Sequence, residues 1–179
     1  MNRHHVRWFA ATFFLWPAAS PAVDVAYSTV ALGGGDYRYD YTLLNTGGAV
    51  PLKLVDLLFD PALYDEASLA DLSSPALGAG WSTTFLASAP GVPAAFDVLA
   101  TAGGVPAGGS LGGFAVRFHW LGSGAPGAQG FEVYDPSTFS LLETGSTSAV
   151  PEPPAAGLAL AGLLLAAALV NGRLRRPCV

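Results

Sequence analysis

The residues of this chain that could do chemistry are few, and their spacing argues against most of what they could do. Gly108-Gly109-Ser110-Leu111-Gly112 fits the pattern G-x-S-x-G, in which a sharp strand-to-helix turn exposes a serine hydroxyl for acyl transfer. The run that follows, Phe114 to Leu121, alternates as a strand, and His119 precedes Glu132, Asp135 and Glu143, whereas the hydrolase order is Ser, acid, His. The segment therefore reads as a glycine-rich hairpin loop. Gly122-Ser123-Gly124-Ala125-Pro126-Gly127 spells G-x-G-x-x-G, yet residues 131–134 read as strand where a phosphate-binding helix should open.

Carboxylates offer two further chemistries. Asp135 with Glu132 or Glu143 would supply the acid and base of a secreted hydrolase, an alternative that no spacing signature supports. Asp36, Asp40, Asp56, Asp60, Asp65, Glu66, Asp71 and Asp135 offer hard oxygens to calcium, but no set has EF-hand spacing. His119 stands alone on the polar side of its strand, and a transition-metal site needs several soft ligands. The sequence asks for no cofactor. Tyr37, Tyr39 and Tyr41 form either a sugar-stacking strip or, as we read them, core packing with hydroxyls at the rim.

The elements that must position these residues have a period of two. Tyr37, Tyr39, Tyr41 and Leu43 alternate with Arg38, Asp40, Thr42 and Leu44 after a Gly33-Gly34-Gly35 turn. Phe114, Val116, Phe118 and Trp120 alternate with Ala115, Arg117, His119 and Leu121. Both are half-buried strands. Weaker strands are expected at 25–32, 52–59, 81–86, 96–101, 131–134 and 139–143, separated by Gly, Pro and Asn turn signals. Eight short strands with frequent turns predict an all-β fold, a single β-sandwich of jelly-roll or immunoglobulin-like type. Only residues 61–72, with Leu63, Glu66, Ala67 and Ala70 spaced for one face, predict a short helix across one end.

Composition bounds the partners. All thirteen acidic residues lie between Asp24 and Glu152 against Arg38, Lys53 and Arg117, so this region carries about −10. Nucleic acid is excluded as a partner on that charge, and a glycan ligand would be neutral or bridged by a cation. The single cysteine, Cys178, lies outside it, so stability must come from a core and not from a disulfide. About 130 residues suffice for one such domain.

The two ends read as addresses. Arg3 and Arg7, an apolar stretch at 8–16 and a small-residue exit at 17–22 form the pattern of a secretory signal peptide. Cleavage by signal peptidase is expected between Ala22 and Val23, with Ser20 and Ala22 at the −3 and −1 positions. At the other end, Val150-Pro151-Glu152-Pro153 precedes an uncharged run of Ala, Gly, Leu and Val at 155–170, then Arg173, Arg175 and Arg176. Sixteen residues at about 1.5 Å each reach roughly 24 Å, short of a hydrocarbon core of about 30 Å, so the helix spans only with help from its flanks. The arginines act as stop-transfer charges and stay on the cytoplasmic side. The expected organisation is a signal peptide at 1–22, an exported sandwich at 23–149, a Pro-Glu-Pro motif and linker at 150–154, a transmembrane helix at 155–172 and a basic cytoplasmic tail at 173–179.

Val150-Pro151-Glu152-Pro153, the short Leu/Ala/Gly helix and the arginine-rich end together resemble the PEP-CTERM sorting signal of bacterial surface proteins. The basic end departs from that pattern, because Arg173-Leu174-Arg175-Arg176 is followed by Pro177-Cys178-Val179 where a more continuous basic run is usual. The resemblance covers about thirty residues and implies that an exosortase, a membrane-embedded transpeptidase-like enzyme, recognises Pro151, Glu152 and Pro153 and cuts the tail. It also implies an inner-membrane-anchored precursor, release to the cell surface or extracellular matrix, and association with exopolysaccharide or biofilm. The expectation is thus a non-catalytic exported protein. The alternatives are the hydrolase above carrying the same tail, or a permanently anchored scaffold whose small residues Gly157 and Ala161, or Gly162 and Ala166, let helices dimerise.

Overall fold

The structure is a computed structural model that describes residues 22–150. Ten strands run through it: β1 (Asp24–Gly33), β2 (Asp36–Leu44), β3 (Leu54–Phe59), β4 (Tyr64–Asp71), β5 (Trp81–Leu86), β6 (Ala94–Ala100), β7 (Ser110–Trp120), β8 (Gly130–Tyr134), β9 (Leu141–Ser146) and β10 (Ser148–Ala149). They form two five-stranded sheets, ordered β10-β1-β2-β7-β4 and β5-β6-β3-β8-β9. All pairings are antiparallel except β1 with β10. The expected all-β sandwich is present, and each of the eight expected strands has a counterpart.

The alternating residues do what their period demands. Tyr39, Tyr41, Leu43, Phe114, Val116 and Phe118 from one sheet are buried against Val55, Leu57, Phe59, Phe96, Val98, Phe131 and Val133 of the other. Rings cross between the sheets, Trp81 meeting Phe114 at 5.3 Å and Phe59 meeting Tyr64 at 5.0 Å, both edge to face. The β1–β2 hairpin closes on Gly33, Gly34 and Gly35, all at positive φ, a conformation open to glycine at little cost.

One expectation fails. Residues 61–72 are not a crossing helix; they hold β4, which pairs with β7 through Tyr64↔Trp120 and Asp65↔His119, then Ala70↔Arg117 and Asp71↔Val116. Between these pairs Glu66–Leu69 leave the ladder. The excursion is closed by its own polar groups, since Asp65 Oδ1 accepts from Ala67 N at 3.2 Å and Ser68 Oγ donates to the Asp65 carbonyl at 2.6 Å. His119 N donates to Ser68 Oγ at 2.7 Å, which ties the bulge back to β7. The helix-like spacing of Leu63, Glu66, Ala67 and Ala70 is the trace of this bulge, and long-range pairing overrides the local propensity.

The β4–β5 edge of the sandwich is clasped by side chains from both sheets. On the β4–β5 side, Glu66 accepts from Ser88 N at 3.1 Å and Ser88 Oγ at 2.6 Å, and Thr83 Oγ1 donates to Asp71 Oδ2. On the opposite side the chain passes between sheets at Thr147, whose backbone N donates to the Gln129 carbonyl at 2.8 Å while its Oγ1 accepts from Gln129 N at 2.9 Å.

Candidate functional site

The residues expected from the sequence to direct processing lie at the two borders of the domain, and the structure describes the inner side of each. Val23 is buried, and Ala22, half-buried, offers its carbonyl to Gly47 N at 3.0 Å. Val23 N donates to Glu143 Oε1 at 3.4 Å. These residues border a cleft of about 600 Å³ that Lys53, Tyr134, Asp135 and Glu143 also line. At the other border Val150, just past β10, is 49% exposed, and its N donates to the Tyr27 carbonyl of β1 at 2.8 Å. Pro151, Glu152, Pro153, Arg173, Arg175 and Arg176 lie outside the described residues, as do the expected signal peptide and transmembrane helix. Among the described residues no helix is long and apolar enough to cross a membrane.

A second feature is a row of carboxylates on the outer face of the second sheet. Asp97, Asp56 and Glu132 stand side by side, because β6, β3 and β8 pair with Asp56 opposite both partners. Thr84 and Thr144 extend the row at either end. Burial first, then the neighbouring Asp97, and then Glu132 push the Asp56 carboxyl up to about 7, and burial raises Asp97 as well. Asp56 Oδ1 is buried without a hydrogen-bond partner among the described residues. The two neighbouring carboxylates repel one another, so they titrate as a pair and the folded state holds a proton there to higher pH than an isolated carboxylate would. Asp56 was visible in the sequence as a calcium candidate, whereas Asp97 was missed. The available signal was a lone aspartate inside each of two apolar strands, Leu54–Phe59 and Ala94–Ala100.

The remaining sequence candidates disperse. Asp36 pairs with His119 at 2.9 Å and Asp40 with Arg38 at 2.9 Å. Asp60, Asp65 and Asp71 accept from backbone amides in turns. Asp135 caps the β8–β9 turn, accepting from Ser137 N at 2.7 Å and Thr138 N at 3.0 Å, bonds that hold its carboxyl below the usual range. Among the described residues no three His, Cys, Asp or Glu gather where they could hold a metal. Glu132 and Glu143 fall on opposite faces of the β8–β9 pair, since Glu132 faces Thr144 and Glu143 faces Val133.

Ser110 opens β7, which continues as strand to Trp120, so no helix follows it. His119, nine residues on, is about 30 Å away along the strand. The Gly122–Gly127 segment is likewise a loop into β8, and the Gly127 carbonyl accepts from Tyr39 Oη at 2.7 Å. Tyr39 and Tyr41 are core residues, 0% and 1% exposed, with hydroxyls bonded to Gly127 and Gln129. Burial raises both phenols far above their ordinary range. Tyr37, half-buried, stacks on Phe118 at 6.1 Å.

No protein-family model and no curated protein matches the chain. Among solved structures, a GH20 exo-β-N-acetylglucosaminidase from Vibrio harveyi, in complex with N-acetylglucosamine, is similar at a TM-score of 0.37 and 9% identity, over 72% of this chain and 18% of that one. A chain of a cohesin–dockerin complex is similar at a TM-score of 0.36 and 14% identity, over 72% of this chain and 99% of that one. This chain thus spans under a fifth of the glycosidase, and at these TM-scores neither likeness bears on activity.

Proposed function

We propose that this chain is an exported, non-catalytic surface or extracellular-matrix protein, sorted through its PEP-CTERM-like tail by an exosortase-type enzyme and associated with exopolysaccharide. Its domain, a jelly-roll or immunoglobulin-like variant of the sandwich, binds or builds extracellular polymer. The observation that carries the reading is the order of three parts at the C-terminus: Val150-Pro151-Glu152-Pro153, an uncharged apolar run, then Arg173, Arg175 and Arg176. The borders of the fold support it. The first strand starts at Asp24, two residues after the expected signal cleavage, and the last ends at Ala149, two residues before Pro151. Both processing points thus flank the domain, and neither cut would remove a strand.

The precursor would sit in the inner membrane by its C-terminal helix, with the arginines inside, and the cut form would pass to the surface. The test is to change Pro151, Glu152 and Pro153 together to alanine in a cell with an active exosortase. The uncut precursor should accumulate in the inner membrane, because its apolar run is untouched, whereas wild-type protein should reach the surface with an intact mass lacking residues 155–179. Full-length wild-type protein stably resident in the inner membrane of that cell would reject sorting and leave the permanent anchor.

A further inference from the structure

Val23 is both the residue that precedes the first strand and the residue whose nitrogen the expected signal cleavage would free. That nitrogen already donates to Glu143 Oε1 at 3.4 Å. Glu143 belongs to β9, the edge strand of the opposite sheet, so the contact joins the two sheets along one border of the sandwich. The ion pairs among the described residues are Arg38–Asp40 and His119–Asp36, which leaves Glu143 facing an uncharged amide there.

Hydrolysis of the Ala22–Val23 bond adds one water across it, leaving a carboxylate on Ala22 and an amine on Val23. The amine takes a proton at neutral pH, its ordinary pKa being about 7.7–8.0. We propose that export processing arms a latch: the new α-ammonium of Val23 forms an ion pair with Glu143 that binds the first sheet to the edge of the second, so the mature domain holds more tightly than its precursor. The inference rests on the cleavage point taken above and concerns what that cut does to the fold. A hydrogen bond between ionised partners is roughly twice as strong as a neutral one, and a half-buried pair is less screened than one on open surface. The cut also gives up the bond from Gly47 N to the Ala22 carbonyl. The other charged or titratable groups of the cleft are Lys53 ahead of β3, Tyr134 at the end of β8 and Asp135 in the β8–β9 turn. Asp24, beside Val23 on β1, is engaged by Ser148 Oγ at 3.2 Å.

The experiment uses the domain to Val150 in two forms, one starting at Val23 after scarless release from a fusion partner and one retaining Ser20, Pro21 and Ala22. Each is made with Glu143 and with Glu143→Gln. The latch requires Glu143→Gln to lower the melting temperature of the Val23 form by about 3–6 °C and that of the extended form by clearly less. It also requires the Val23 α-amine, titrated by NMR, to lie above the ordinary range and to return to it in Glu143→Gln. Equal melting shifts in the two forms together with an ordinary α-amine pKa overturn it. Because the fusion cut sets the first residue, this result is independent of where cells cleave the chain, which N-terminal sequencing of the exported protein decides separately.

Discussion

Tyr39 and Phe118 meet at the centre of the sandwich with ring centroids 4.7 Å apart and planes tilted by 37°. Neither is exposed, and Phe118 also touches Tyr37, Phe59 and Tyr64, so one ring from β7 knits together β2, β3 and β4. Replacing Phe118 by alanine leaves a cavity that these rings, fixed by their own strands, cannot fill. The expected loss is about 3–5 kcal/mol in denaturant unfolding of residues 23–150. A loss under about 1 kcal/mol would mean that the alternating face of β7 is not core.

The strands carrying that contact were the most legible part of the sequence. Tyr37 to Leu43 and Phe114 to Trp120 put large side chains at every second position between glycine turns, and a period of two with aromatics leaves little choice of element. Bulged β4 was not legible, because its local spacing mimics a helix and only pairing with β7, some fifty residues away, makes it a strand. The Asp56–Asp97 pair and the Val23–Glu143 contact were hidden for the same reason. Each depends on register between segments distant in sequence, and composition carries no information about register.

Gly35 adopts φ +90, and a Cβ built there would stand 2.7 Å from His119 Cε1. Gly35→Ala should therefore destabilise the domain by about 1–3 kcal/mol and push the imidazole off Asp36, which accepts or shares a hydrogen bond with Nδ1 at 2.9 Å. Adding His119→Ala to that variant removes the clash and should recover part of the loss, leaving the backbone strain. If the double variant is no more stable than Gly35→Ala, the close approach is absent in solution.

The carboxylate row makes stability depend on pH in an unusual direction. The folded chain keeps a proton on Asp56 up to about pH 7, while the unfolded chain releases it near the ordinary carboxylate value. Between those limits the native state binds more protons, so stability falls as pH rises through the window, and the penalty is complete above it. The pair is half exposed and screened, which brings the effect to on the order of 1–2 kcal/mol. Asp56→Asn should raise the melting temperature at about pH 8 and flatten its change down to about pH 5. A variant that melts below wild type at both pH values would show that the carboxylates do not repel.

The last prediction follows from the burial of the expected signal-cleavage site. Val23 is only 5% exposed, its nitrogen is bonded to Glu143, and the Ala22 carbonyl is bonded to Gly47 N. A protease needs the scissile segment extended and free of such bonds, so the Ala22–Val23 bond should be open to signal peptidase in the unfolded chain and protected once the sandwich forms. Exported protein should begin at Val23 by N-terminal sequencing. Purified precursor, allowed to fold before signal peptidase is added, should be cut many times more slowly than the same precursor added from denaturant. Equal rates would show that the border opens freely in the folded state, and exported protein beginning at Met1 would reject the cleavage itself.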